Sequence, residues 1–155
     1  MSTELNRVIA MIEKWMGEAE LDPETLLLPL EDDEDTGRTW ALKHGSAHVV
    51  INVQADEDDE LAFLHIYAPI LDVPADNREA FYRHLLERNF DSLTSCAFAI
   101  DEAEQVVITA DRSTAGLSVD EFDELISYLS SFADYYDNVL ADAFGATMLG
   151  ESDEE

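Results

Sequence analysis

What the chain lacks sets its first limits. Cysteine occurs once, at Cys96, so neither an intrachain disulfide nor a CxxC-type zinc or redox site can form, and the usage fits a reducing compartment. Lysine occurs twice, at Lys14 and Lys43, and all basic residues together number 8 against 36 Asp and Glu, a formal net charge of −28. A surface of that sign repels phosphate backbones and anionic membranes, so neither nucleic acid nor a membrane is expected as a partner. Long apolar runs are missing as well. None approaches the ~20 residues needed to span a bilayer, and the start Met1-Ser2-Thr3-Glu4-Leu5 lacks the basic and apolar regions of a secretory leader. The expected location is the cytoplasm.

What remains is enough to build a fold. The chain has 155 residues, 46% of them hydrophobic and 9% aromatic. A single domain of that size buries roughly 70% of its unfolded surface, and the apolar content argues for a core in spite of the charge. The domain is expected over residues 1–147. The stretch 148–155, with the acids of "GESDEE", is too polar and short to pack and is read as a disordered tail. The acidity is the composition expected of a host with high internal salt, where molar cation screens carboxylate repulsion over ~3 Å.

Leu5, Val8, Ile9, Ile12, Trp15 and Met16 recur at the spacing of an amphipathic helix that Ser2 or Thr3 can cap and Gly17 can end. Residues 20–30 hold Pro23 and Pro29 around Leu26-Leu27-Leu28 and read as irregular or edge structure. Strands are expected at 39–44, 47–53 and 61–68, the first two joined by a tight break at Gly45-Ser46. The third carries apolar residues on both faces, which predicts a central position, and Pro69 and Pro74 are expected to stop it. Asp76 to Glu79 has the form of a capping box for a helix with Ala80, Phe81, Leu85 and Leu86 inward and Phe90 past its end. Strands at 96–100 and 105–110 flank the polar connection Asp101 to Glu104. Ser118 to Glu121 is a second capping box, opening a long helix closed by Gly145. The order α-β-β-β-α-β-β-α defines an α+β fold, an antiparallel sheet packed with helices.

Chemistry-bearing patterns are sparse. The five acids from Asp56 to Glu60 lack the spacing of a calcium loop and read as a turn between strands; "EDDED" at 31–35 and "ESDEE" at 151–155 read the same way. His44, His48, His65 and His84 show no ligand pattern, although His44 and His48 straddle a hairpin turn. Cys96 has no basic neighbour and no helix N-terminus, so it reads as a small core residue rather than a nucleophile. Gly-rich phosphate loops and a G-x-S-x-G elbow are absent. The segment Asp111 to Ser118, "DRSTAGLS", mixes polar groups beside a helix start but has no base and orienter to make a catalytic set. The far half of the last helix, with Tyr135, Tyr136, Val139, Leu140, Phe144 and Met148, is rich in the residue types of interface cores.

The segment from Tyr67 to Leu129 resembles the YbjN family, whose fold is that of type III secretion chaperones. The resemblance rests on the strand ending Ala68-Pro69 with Val73-Pro74 after it, Leu85-Leu86 with Asn89 at a helix end, the Phe98 strand beside "QVVITAD", and the Ser118-capped helix of Phe122, Leu125 and Ile126. It implies a small acidic domain without known enzymatic residues, often dimeric, that handles another polypeptide or regulates.

The expectation is therefore a noncatalytic protein-binding module, chaperone-like or a regulatory adaptor, acting as a homodimer on another polypeptide and needing no cofactor or metal. Trp40, Tyr67, Tyr136 and Phe144 are the candidate partner-binding aromatics. Two alternatives stand beside it: a metal-dependent hydrolase built on the acid clusters and histidines, and a dimerising regulatory domain with a small ligand.

Overall fold

The computed structural model describes residues 3–28, 37–45, 47–56 and 61–146. Helix α1, Thr3–Glu18, buries the six residues that its spacing picks out, Leu5 to Met16. Where irregular chain was expected, one helical turn forms as α2, Pro23–Leu26. Asp22 makes that turn possible: its carboxylate accepts from Glu24 N–H and Thr25 Oγ1, each at 3.0 Å, while Pro23 sits where a helix needs no N–H. Leu27 then bridges to Trp40, and Leu28 N–H donates to Thr39 O at 2.8 Å, covering part of a sheet edge. The acid run at 31–35 lies outside the described residues, as do residues 57–60 and 147–155.

The sheet has five strands, β1 (Gly37–His44), β2 (Ala47–Ala55), β3 (Ala62–Asp72), β4 (Ala97–Ile100) and β5 (Gln105–Ser113), in the order β1-β2-β3-β5-β4. Every neighbouring pair is antiparallel. Helix α3, Arg78–Asp91, lies between β3 and β4 in sequence, and α4, Val119–Phe144, follows β5. The expected order holds with α2 added, and β3 is central as its two apolar faces suggest. Gly37 is the first residue of β1, and a side chain there would put its Cβ 2.6 Å from Val53 O. Pro69 does not stop β3. The register slips between Pro69 and Leu71, so a bulge absorbs the missing N–H and the strand continues to Asp72.

Alternation divides the sheet into two unlike faces. Trp40, Ile51, Ile66 and Ala110 form one cross-strand row, and Leu42, Val49, Ala68, Ile108 and Phe98 belong to the same buried face. Helices α1 and α4 cover it. Helix α4 opens on the expected capping box: Ser118 Oγ accepts from Glu121 N–H at 3.1 Å, and Glu121 Oε1 accepts from Ser118 N–H at 3.3 Å. Its 26 residues span about 39 Å, buried along Phe122, Ile126, Leu129, Ala133, Tyr136 and Leu140, and Gly145 closes it at φ 68°. Trp15 Nε1 donates to Asp123 at 2.9 Å, and Arg7 donates to Thr114 O and Leu117 O at 3.0 and 3.1 Å, fastening α1 to the start of α4.

Helix α3 departs from expectation in two ways. Its N-cap is Asn77 in the left-handed region at φ 57°, and no side chain caps it, so the box read at Asp76 does not form. Only Phe81 and Leu85 are buried; Ala80 is exposed, and Leu86 and Phe90 are 68% and 82% exposed, Phe90 inside the helix rather than past its end. A helix beside the short strand β4 has little to cover, so one narrow stripe satisfies it.

Candidate functional site

The second face of the sheet is where function can reside. Its residues are those that the β alternation turns away from the helices: Thr39, Asn52, His65 and Asp111 in one row, Ala41, Val50, Tyr67, Thr109 and Ala97 in the next. Two depressions of about 590 and 620 Å³ share Asn52, His65 and Asp111 and so form one trough. Towards β4 it is lined by Val50, Tyr67, Val107, Ala99 and Asp101. Towards the other end it is lined by Gln54, Phe63 and Ser113. Phe63 stands 48% exposed there, a large aromatic side chain left in water by the strand that buries Leu64 beside it.

The trough's polar groups are held in place by one another. His65 Nδ1 donates to Asp111 Oδ1, and Thr109 Oγ1 donates to the other carboxylate oxygen at 3.3 Å. The His65 ring lies 5.0 Å from that of Tyr67. Asn52 Nδ2 donates to Thr39 Oγ1 at 2.8 Å. Asp101 shapes the β4–β5 turn, its Oδ1 accepting from the N–H groups of Ala103 and Gln105, both at 2.9 Å. Arg112, at the trough's far end, is fully engaged: it donates to Glu121 Oε2 at 3.0 Å, Ser113 O at 2.8 Å and Ala115 O at 3.1 Å. Those bonds, with the Ser118 contacts, hold the Glu121 carboxyl below its ordinary range.

The candidate aromatics go to different places. Trp40 is 1% exposed and Tyr136 6%, the latter edge-on to Phe98 at 5.0 Å. Phe144 is half-buried, packed edge-on against Phe81 at 5.0 Å and beside His84 at 5.4 Å. Tyr67 alone of the four lies on the open face. Sequence reasoning missed Phe63, His65 and Asp111 as trough residues. For Phe63 and His65 the signal was present in the alternation of β3, but both its faces read as apolar and neither could be assigned to the core; Asp111 fell outside the strand expected at 105–110, whereas β5 runs to Ser113.

The histidines do not converge. His44 stacks on Trp15 at 6.2 Å on the helix side, His48 pairs with Lys43 on the open side, and His84 rests on Phe144, so the hairpin pair His44 and His48 points to opposite faces. Among the described residues no group of three or more His, Cys, Asp or Glu is placed to hold a metal ion. Cys96 is half-buried just before β4, and burial pushes its thiol up to about 11, which keeps it protonated at neutral pH. No described helix is long and apolar enough to cross a membrane.

A half-covered antiparallel sheet with this helix arrangement is the fold of type III secretion chaperones. The chain is similar to a protein in the ExsC-ExsE complex, with 18% identity over 90% of this chain and 97% of that one and a TM-score of 0.58. It is similar to one in the heterodimeric ExoU-SpcU complex of the Pseudomonas aeruginosa type III secretion system, at 20% identity, 80% and 93% coverage and TM-score 0.53. A third likeness is to the structure of the Yersinia pestis type III secretion chaperone SycH with a stable fragment of YscM2, at 13%, 81% and 96%, and 0.51. No curated protein matches the chain. The chain belongs to the YbjN family, described as "Putative bacterial sensory transduction regulator", whose profile matches residues 9–141.

Proposed function

We propose that the chain is a noncatalytic, cytoplasmic module that binds another polypeptide, chaperone-like or as a regulatory adaptor, and that it does so as a homodimer. The observation that carries the reading is the open sheet face, where Phe63, Tyr67 and Val50 stand beside hydrogen-bonding groups on a rigid five-stranded platform. Rigid strands hold such groups in place at no ordering cost, which favours recognition of a flexible partner. Solved proteins of this fold occur in complexes with other polypeptides, which supports the same reading. This reading assigns the homodimer contact to the outer side of α3, and what supports it is that Leu86 and Phe90 are exposed there and that Arg78, Arg83 and Arg88 offset Glu79, Glu87 and Asp91. That helix is a neutral surface on a molecule of net charge −28, so two copies can approach there with least repulsion.

The test is affinity capture from native-host lysate in molar KCl, comparing the unchanged protein with a Phe63→Ser and Tyr67→Ser double variant. A polypeptide recovered at near-stoichiometric amount with the first and lost with the second supports the reading. Recovery of the bait alone overturns it and turns the search to small ligands.

A further inference from the structure

We infer that the trough on the open sheet face binds an extended cationic segment of the partner, with two Lys or Arg residues six positions apart and small apolar residues between them. The inference rests on the polypeptide-binding reading and names the chemistry of its partner.

The argument starts from the charges that line the trough. Two carboxylates do so, Asp101 and Asp111; Asp111 takes the His65 and Thr109 bonds but its side chain is 62% exposed, and the one arginine there, Arg112, is held by Glu121 and two backbone carbonyls. Between the carboxylates the lining is Val107, Ala99, Val50 and Tyr67, with Thr109 next to Asp111 and its hydroxyl donating to that carboxylate. A trough with acidic ends and an apolar middle complements a segment with the reverse charges at its ends.

Spacing follows from the strand. Asp101 is level with Gln105, since its N–H donates to Gln105 O at 3.0 Å, and Asp111 lies six residues further along β5, a separation of about 20 Å. An extended segment laid along β5 turns every second side chain towards the sheet. Positions 1 and 7 then meet the two carboxylates, while 3 and 5 rest on the apolar middle. A second copy of this chain is a poor occupant, because face-to-face stacking sets Asp101 and Asp111 against their own counterparts. The net charge of −28 adds long-range attraction for a cation.

The experiment uses the full chain and three labelled nonapeptides, followed by fluorescence anisotropy at the lowest KCl concentration that keeps the protein folded. The first has Lys at positions 1 and 7, Val at 3 and 5 and Ser elsewhere; the second replaces both Lys by Glu; the third exchanges the Lys and Val positions. The first is expected to bind best. Asp111→Asn and Asp101→Asn, which keep the side-chain carbonyl that accepts hydrogen bonds, are each expected to weaken it about two- to fivefold, the range of exposed ion pairs. Equal binding of the Lys and Glu peptides overturns the inference, as does unchanged affinity in both Asn variants. Conversion of a dimer to a monomer by Phe63→Glu would also overturn it, by making the trough an interface between copies. A partner captured from lysate that the Lys peptide does not displace refutes the inference and leaves the broader reading standing, whereas capture of no polypeptide refutes the broader reading.

Discussion

Trp40 and Tyr67 are both large aromatics on neighbouring parts of one sheet, yet they face opposite ways. Trp40 belongs to the row Trp40, Ile51, Ile66, Ala110 that the helices cover, and Tyr67 to the row that they leave open. The difference is testable as stability. Trp40→Ala leaves a cavity in a packed core and is expected to cost about 3–5 kcal/mol, whereas Tyr67→Ala, on the open face, is expected to cost about 1 kcal/mol. Urea unfolding of the two variants checks this, and equal costs would contradict the assignment of faces. The capping box of α4 gives a second residue-scale prediction, with a definite pH sign. Glu121 is depressed by its bonds to Arg112 and Ser118, so its charged form contributes stability that is present above its ordinary value of 4.5 and is lost as pH falls through the lower folded value. The advantage of the unchanged protein over Glu121→Gln should be constant near neutral pH and shrink below about 4.5; an advantage that grows on acidification would show that the carboxylate is not the favoured partner. Ser118→Ala removes the other half of the box and should cost about 1 kcal/mol.

At the scale of elements, what could be read in advance depended on how many neighbours an element has. Helices α1 and α4 lie across the sheet, bury a full stripe and so wrote a clear period into the sequence. Strand β2, buried on one face, wrote a clear alternation. Helix α3 covers only the margin by β4, and its two surplus apolar residues, Leu86 and Phe90, made it look more amphipathic than it is. Strand β3 failed in the opposite sense: Phe63 and Tyr67 on its open side made both faces look internal, so the candidate site was hidden by the apolar character that defines it. The proline at 69 misled because a bulge is invisible to local propensity. Asn89 shows another feature of this margin. Its side chain accepts from Phe98 N–H at 2.6 Å and donates to Phe98 O at 3.3 Å, filling the place of a sixth strand and blocking edge addition at that point of β4. For the proposed homodimer this leaves the outer side of α3, rather than β4, as the contact. Changing Leu86 and Phe90 together to Ser should leave the thermal midpoint of the folded chain nearly unchanged while converting the dimer to a monomer, as measured by light scattering in molar KCl. A dimer that survives the double change would remove α3 from the interface.

At the scale of the whole molecule the charge is the dominant fact, and it acts on stability as well as on partner choice. Folding gathers 36 carboxylates against 8 basic groups into a compact body, and the ion pairs Arg7–Glu4, Arg83–Glu87, Arg88–Asp91 and Arg112–Glu121 lie on the surface, where each contributes little. The repulsion is therefore offset mainly by the core that α1, α4 and the sheet enclose, and by whatever salt screens. At about 0.1 M the screening length is about 10 Å, comparable to the spacing of surface charges, and at about 1 M it is about 3 Å. The unfolding midpoint should accordingly rise steeply between about 0.1 M and about 3 M KCl. Screening can be told from general salting-out by repeating the series near pH 4.3, where about half of ordinary Glu side chains are protonated. The charge to be screened is then smaller, so the slope of the midpoint against the logarithm of KCl concentration should flatten. A midpoint indifferent to salt at neutral pH would mean that the acidity is not a salt adaptation, and an equal slope at both pH values would mean that KCl acts through burial of apolar surface instead.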